Sequence, residues 1–242
     1  TDAYVLGSLG STGPALGACA TFLYNLRLAV QDIRSGRARV AIVGAAEAPV
    51  VAEVMEGYAA MGALASDKAL RALDGLPDDV RPDARRACRP FGENCGFTMS
   101  ESAQIMVLFD DELALELGAP TLAAIPDVFV SADGPKKSIS GPGIGNYVTF
   151  AKSAALLKNL LGDRRFTSGG MVQAHGTSTP QNRVTESQIM SQVAVAMGVQ
   201  KWRVGAIKSF IGHSLGAAAG DQLSAMLGVW ETGLMPGITT LD

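Results

Sequence analysis

Apolar side chains recur along this chain at two spacings, and the spacings alternate. Over residues 20–35 (ATFLYNLRLAVQDIRS), Phe22, Leu26, Ala29, Val30 and Ile33 fall on one helical stripe, with Gly36 as a C-terminal stop. The run RVAIVGA from Arg39 to Ala45 is short, apolar and partly β-branched, and predicts a buried strand. Helical spacing returns over residues 50–64. From Ser66 to Arg89 the chain turns polar, through DGLPDD and RPDARR, and predicts a long functional or mobile loop. Ile105–Phe109 reads as the next strand, and the acidic stretch after it as helix. A second cycle follows, with strands at Thr121–Val130, Met171–Ala174 and Arg203–Ile207 and helices at Tyr147–Leu161, Val184–Met197 and Ser214–Thr232. Strand and helix alternating in this way predict an α/β fold on a layered sheet. The two cycles share a rhythm without a fixed-period repeat and part near Gly118–Pro120, giving units 1–118 and 119–242.

Composition narrows the class. Of 242 residues, 48% are apolar and 18% charged, which supplies a core and excludes a disordered tail or a coiled coil. Three cysteines, an odd number, exclude a disulfide scaffold. A net charge of −3 offers no basic field for nucleic acid. No apolar run reaches the roughly 18 residues of a membrane span. The best stretch, Leu16–Val43, is cut by Asn25, Arg27, Gln31, Asp32, Arg34, Arg37 and Arg39, and no basic-then-apolar leader opens at Thr1. Free thiols in a reducing cytoplasm are the simplest setting. The 28 glycines, with only 6% aromatics, predict tight turns and close backbone approaches.

Only two histidines are present, His175 in VQAHGTSTP and His213 in KSFIGHSLGAAAG. Each follows a predicted strand and precedes glycine and small residues. Ligands of α/β sheets bind beyond the carboxyl ends of strands, so two strands ending this way aim both imidazoles at one crevice. A lone histidine would read as a packing residue; the only two, in matching settings, read as functional. Cys19, in STGPALGACATFLYNL, follows a Gly/Pro-rich turn and opens a helix. The partial positive charge of a helix N-terminus lowers a thiol pKa below its free value of about 8.5, which marks Cys19 as a nucleophile. Cys88 and Cys95 read as buried structural thiols. A Cys-His-His zinc site fits by ligand type, but gaps of 156 and 38 residues include no local ligand pair, so no metal is expected. A cysteine protease also uses Cys and His, but no protease-type sequence surrounds Cys19. The run Gly141-Pro142-Gly143-Ile144-Gly145 lacks a dinucleotide fingerprint and reads as a flexible turn.

Together these segments resemble the β-ketoacyl synthases, the condensing enzymes of fatty-acid and polyketide assembly. GPALGACAT resembles the nucleophile segment, AHGTSTP the first histidine motif, and IKSFIGHSLGAAAG the lysine-plus-second-histidine motif, in the family's order. RPF at Arg89–Phe91, followed by Gly96-Phe97, is similar to the segment between the halves. The resemblance implies a thiolase-like αβαβα layered sandwich, here incomplete at both ends. Residues 1–118 then hold part of the N-terminal half with the nucleophile, and 119–242 part of the C-terminal half with the histidine pair. It implies acyl transfer to Cys19, then decarboxylative Claisen condensation with a malonyl group on the phosphopantetheine arm of an acyl carrier protein. His175 and His213 would drive decarboxylation, Lys208 would order the site, and Thr177 and Thr179 would contact the pantetheine arm. An acyl-CoA or acyl-carrier primer, a homodimer and no cofactor follow by the same analogy. The alternatives are a noncatalytic chain-length-factor-like partner subunit and a non-decarboxylating thiolase-fold acyltransferase.

Three departures from the family pattern stand out. Gln222 occupies a usually acidic position, with Asp221 one step earlier. The amide of Gln222 is expected to hydrogen-bond the Lys208 ammonium, with Asp221 pointing elsewhere. The glycines of the family's GEGAG segment become Ser100-Glu101-Ser102-Ala103-Gln104. Asn182-Arg183 replaces the Gly-Asp that follows the threonine motif, while Glu186 is kept.

Overall fold

The computed structural model describes residues 13–135, 141 and 143–241. Helix α1 (Thr21–Arg34) covers the predicted stripe and buries Phe22, Leu26, Ala29 and Val30. Gly36 follows it with φ +72°. Strand β1 (Val40–Glu47) pairs antiparallel with β2 (Ser102–Phe109), Val43 lying opposite Met106. One face of this pair packs on α1 and on helix α9 (Ala218–Thr232): Phe22, Leu26, Ala29, Val43 and Ala219 form a core, with Met106, Leu108 and Leu223 against it. The prediction of a wholly buried β1 is therefore corrected. Only Val43 of that strand is buried, while Ile42, Ile105 and Val107 face outward and are exposed. Period-2 alternation, not a continuous apolar run, describes the pair.

The polar stretch from Ser66 to Arg89 is not a long loop. Helix α2 (Ala52–Ala60) precedes it, and helix α3 (Asp67–Asp74) lies within it. Ser66 caps α3 by accepting from the Ala69 N–H at 3.2 Å, Gly75 ends it in the left-handed region, and Leu70 is buried. Arg89 donates to both carboxylate oxygens of Asp74 at 2.7 and 2.6 Å, fixing the far end. A mostly polar composition conceals a helix with one buried apolar residue. The short acidic helix α4 (Asp111–Glu116) follows β2 as expected.

The predicted strand at Thr121–Val130 is also corrected, since among the described residues this segment has no ladder partner. Ile125 and Val128 pack on the α1 core. Arginines hold its backbone instead: Arg27 Nη1 donates to the Val130 carbonyl at 3.2 Å and Arg34 to the Pro126 carbonyl. A run of apolar residues carries the same pattern whether a strand or an arginine takes its carbonyls.

Beyond it, α5 (Ile144–Leu161), α6 (Asp163–Gly169) and α7 (Pro180–Met197) enclose a second core of Ala154, Phe166, Val193 and Val199 under Trp202. Pro142, within the glycine-rich run, lies outside the described residues. Strand β3 (Met171–Gln173) pairs parallel with β4 (Arg203–Gly205). Helix α8 (Lys208–Ile211) follows β4, so His213 is set off from its strand by a helical turn, unlike His175.

Phe97 links segments far apart in the chain. Its backbone bonds Ala63 and Ala65, the adjoining Gly96 N–H donates to the Ser178 carbonyl at 3.0 Å, and its ring meets His213 edge-on at 4.9 Å. Gly96 has φ +142°, and a Cβ there would lie 2.5–2.6 Å from the backbone of residues 63–65. Gly96→Ala should therefore cost at least about 1 kcal/mol. In contrast Gly57→Ala, in α2 with open space around it, should stabilise by about 0.5–1 kcal/mol. Urea midpoints of the two variants check both; equal midpoints would contradict the close approach.

Candidate active site

The turn before α1 is built by local polar groups. The Gly17 N–H donates to Thr21 Oγ1 at 3.0 Å, and that hydroxyl donates to the Ala18 carbonyl at 2.8 Å. Ala18 is held at φ +49°, a region that side chains other than glycine rarely occupy, and Cys19 follows it in a single 3₁₀ turn. Two further non-glycine residues with positive φ, Ser178 and Leu215, lie within three residues of His175 and His213. Such strain persists only where surrounding packing over-determines it, and here it lies beside the reactive side chains.

These loops converge. His213 Nε2 lies 3.1 Å from Cys19 Sγ, and the two imidazole rings meet edge-on at 5.4 Å. Lys208 Nζ donates to the His175 carbonyl at 2.7 Å and lies 3.5 Å from His175 Nδ1. Four of the residues picked out in the sequence thus share one site. Thr177 and Thr179 lie on the loop after His175, their hydroxyls 3.2 Å apart.

Burial sets the electrostatics. Lys208 is 2% exposed and His213 1%. Desolvation, aided by the Lys208 charge, lowers His213 to about 2 and holds His175 well below its ordinary value. Both imidazoles are therefore neutral at physiological pH. An ammonium only donates, so the contact with Lys208 makes His175 Nδ1 an acceptor and leaves the proton on Nε2. His213 Nδ1 is buried and meets no hydrogen-bond partner among the described residues. A proton there would be stranded, which favours Nε2–H for this ring as well.

Desolvation also lowers Lys208, to about 8, against the opposing field of Glu186 first and of Cys19 and Asp221 after it. Glu186 was visible in the sequence only as a family match. Its carboxylate accepts from the His175 and Gly176 N–H groups at 2.6 and 2.8 Å and from Asn182 at 2.9 Å, so it shapes the loop that carries His175. Asn182 and Glu186 are four residues apart on the first turns of α7, a helical spacing that was available as a signal.

Two expectations are corrected. The Cys19 thiol pKa is raised, not lowered: desolvation outweighs the Lys208 charge, the largest influence in the other direction. The helix-opening position counts for less because the sulfur is packed against a buried imidazole. Gln222 does not hold Lys208; its amide donates to the Gln173 carbonyl at 3.3 Å and to that of Ala174, at the end of β3. Cys19, His175 and His213 bring their ligand atoms within 4.8 Å of one another, a reach that would suit a metal ion. The buried ammonium beside His175 opposes a cation there.

Comparison with known proteins decides the family. Residues 3–114 match the family model of the β-ketoacyl synthase N-terminal domain, and residues 123–242 that of the C-terminal domain. The chain belongs to the β-ketoacyl synthase family. It is 56% identical over 241 residues to the β-ketoacyl-[acyl-carrier-protein] synthase FabY of Pseudomonas aeruginosa, covering 100% of this chain and 38% of that protein. The crystal structure of the noncanonical ketosynthase FabY from that organism superposes with a TM-score of 0.95, over 100% of this chain and 37% of the other. A type II polyketide ketosynthase in complex with its acyl-carrier protein, 26% identical, superposes at 0.80 over 99% of this chain and 56% of its own. The fold is the thiolase-type α/β fold of these ketosynthases.

Two outcomes follow from the buried cluster. An unfolded histidine binds a proton near pH 6.5, whereas folded His213 does so only near 2, so stability falls as pH drops below about 6.5. Each such histidine contributes a slope of about 1.4 kcal/mol per pH unit. Stability from urea melts should steepen toward that slope for each histidine as pH falls from 7 to 5, and His213→Leu should remove one histidine's share while that of His175 remains. Lys208→Ala removes the charge that favours the thiolate, so alkylation of Cys19 by iodoacetamide at pH 7 should slow. An unchanged rate by mass spectrometry would contradict the coupling.

Proposed function

We propose that this chain carries the condensing centre of a β-ketoacyl-[acyl-carrier-protein] synthase. One observation carries the reading: a cysteine sulfur lies 3.1 Å from a buried neutral imidazole, with a second neutral imidazole and a buried ammonium beside it. The Cys19 sulfur attacks an acyl thioester on a coenzyme A or carrier-protein primer and expels the carrier thiol, which takes the proton. The acyl group is then held as a thioester on Cys19, dividing one difficult step into two. The malonyl thioester of an acyl carrier protein enters next. Its carboxylate carbon leaves as CO₂, and the electron pair of the broken C–C bond passes into an enolate. The Nε2–H groups of His175 and His213 donate to the enolate oxygen as its charge grows. One preorganised donor of this kind is worth about 10²–10³ in rate. The enolate carbon then attacks the Cys19 acyl carbonyl, forming the new C–C bond and releasing the thiolate.

Lys208 serves as a positioning residue. It fixes the His175 tautomer and main chain, and its charge favours the thiolate. Thr177 and Thr179 are assigned to the pantetheine arm, on the loop beside His175. The nucleophile belongs to the unit 1–118 and the histidine pair to 119–242. We place the reaction in fatty-acid or polyketide synthesis in the cytoplasm; no helix among the described residues is long and apolar enough to cross a membrane. A homodimer completes the reading, supported by the exposed apolar face of Ile42, Ile105 and Val107 on the β1–β2 pair.

The half-reactions separate the roles. Cys19→Ala should abolish the acyl-enzyme and condensation while malonyl-carrier decarboxylation persists. His213→Ala should cut CO₂ release by about 10²–10³ and leave Cys19 acylation largely intact. Intact-mass detection of the acyl-enzyme and labelled CO₂ release measure the two. Condensation by Cys19→Ala, or CO₂ release by His213→Ala at the parent rate, would refute the assignment.

A further inference from the structure

Asp221 is a buried carboxylate that the proposed reaction does not use. It lies in the first turn of α9, and its oxygens accept from Ser102 Oγ, from Gln104 Nε2 at 2.9 Å and from Ser214 Oγ. Gln104 is held in turn, its Oε1 accepting from Ser224 Oγ at 2.7 Å. The cluster leaves little slack, because a Cβ on Gly220 would lie 2.6 Å from the Gln104 Cβ. Ser102 and Gln104 stand where the family pattern has glycine, so the polar side chains that reach Asp221 exist because of those departures.

Ser214 is fully buried and adjoins His213. The backbone of His213 is pinned on both sides to the segment leading into β2: its N–H donates to the Thr98 carbonyl at 2.8 Å, and its carbonyl accepts from the Ser100 N–H at 3.1 Å. Its ring is held only at one end: Nε2 lies 3.1 Å from Cys19 Sγ, the atom that is acylated in the reaction, while Nδ1 meets no partner among the described residues. Beyond Cys19, the aim of the imidazole comes from the edges of Phe97 and His175, from its main chain, and from whatever fixes the next residue. Asp221 fixes that residue, and through Ser102 and Gln104 it ties it to β2, the strand that continues the segment pinning His213.

We infer that Asp221 is a positioning residue for His213, acting through Ser214 and anchored on β2 by Ser102 and Gln104. The inference deepens the condensing-centre reading and rests on it for its catalytic consequence. Loss of the clamp lets the His213 ring shift relative to the thioester oxygen. A displacement of about 1 Å at such a group costs on the order of a hundredfold in rate. Acyl transfer to Cys19 does not need that donor and is spared.

The test compares Asp221→Ala, Ser214→Ala and the double variant with the parent. Expected are a ten- to hundredfold loss of malonyl-carrier decarboxylation and a Cys19 acylation rate within about twofold of the parent. The double variant should be no worse than the worse single one, since both substitutions remove one path. The imidazole ¹⁵N–¹H signals of labelled protein, assigned with His175→Gln, should shift for His213 in both single variants. Thermal unfolding separates a general loss of structure. Where Asp221→Ala does not fold, Ser214→Ala, which removes one hydroxyl, decides. Equal losses in both half-reactions, additive losses in the double variant, or an unmoved His213 signal would overturn the inference. A parent that neither acylates Cys19 nor releases CO₂ would instead defeat the condensing-centre reading. The His213 signals would then still decide whether Asp221 positions the ring.

Discussion

A lysine ammonium buried to 2% exposure is the constraint on which the rest of the site depends. Removing such a charge from water costs several kcal/mol unless hydrogen bonds and opposing charge compensate it. Here the compensation joins three parts of the chain. Lys208 begins α8 just past β4, its ammonium donates to the carbonyl of His175 at the end of β3, and Glu186 on α7 supplies the largest opposing field. The same carboxylate binds the two N–H groups at His175 and Gly176. The loop bearing the first histidine is thus held at its carbonyl by an ammonium and at its N–H groups by a carboxylate.

That arrangement explains why two histidines can remain neutral beside a positive charge. The ammonium that lowers both imidazoles also favours the thiolate of Cys19, so one group serves opposite ends of the proton ledger. Were Lys208 neutral, the histidines would gain protons more readily and the thiol would lose its proton less readily. Desolvation acts in the same sense on the imidazoles and in the contrary sense on the thiol. Burial alone therefore would not produce this site.

Much of this was legible along the chain. The stripe of α1, both histidine loops and the turn before Cys19 follow from spacing and from small residues at close approaches. What stayed hidden shares a physical cause, namely dependence on a partner far away in sequence. The segment at Thr121–Val130 is apolar enough to read as a strand, yet the carbonyls of Pro126 and Val130 are taken by Arg34 and Arg27, about a hundred residues earlier. Helix α3 was masked because only one apolar residue, Leu70, is fully buried. The Cys19 thiol pKa departs from what its helix-opening position implies because a local helix dipole is legible in sequence, while the packing of His213, 194 residues away, is not.

The same reasoning accounts for the pair Asp221 and Gln222. Adjacent residues on a helix point about 100° apart, so they cannot serve one partner. Gln222 faces β3 and donates to its last carbonyls, where a carboxylate would meet only acceptors. Asp221 faces β2, where the hydroxyl of Ser102 and the amide of Gln104 present donors. Exchanging the two residues would set a carboxylate against carbonyls and remove the acceptor that three donors need. The order Asp-Gln is thus fixed by the two surfaces that α9 packs between, and the serine and glutamine on β2 belong to the same solution.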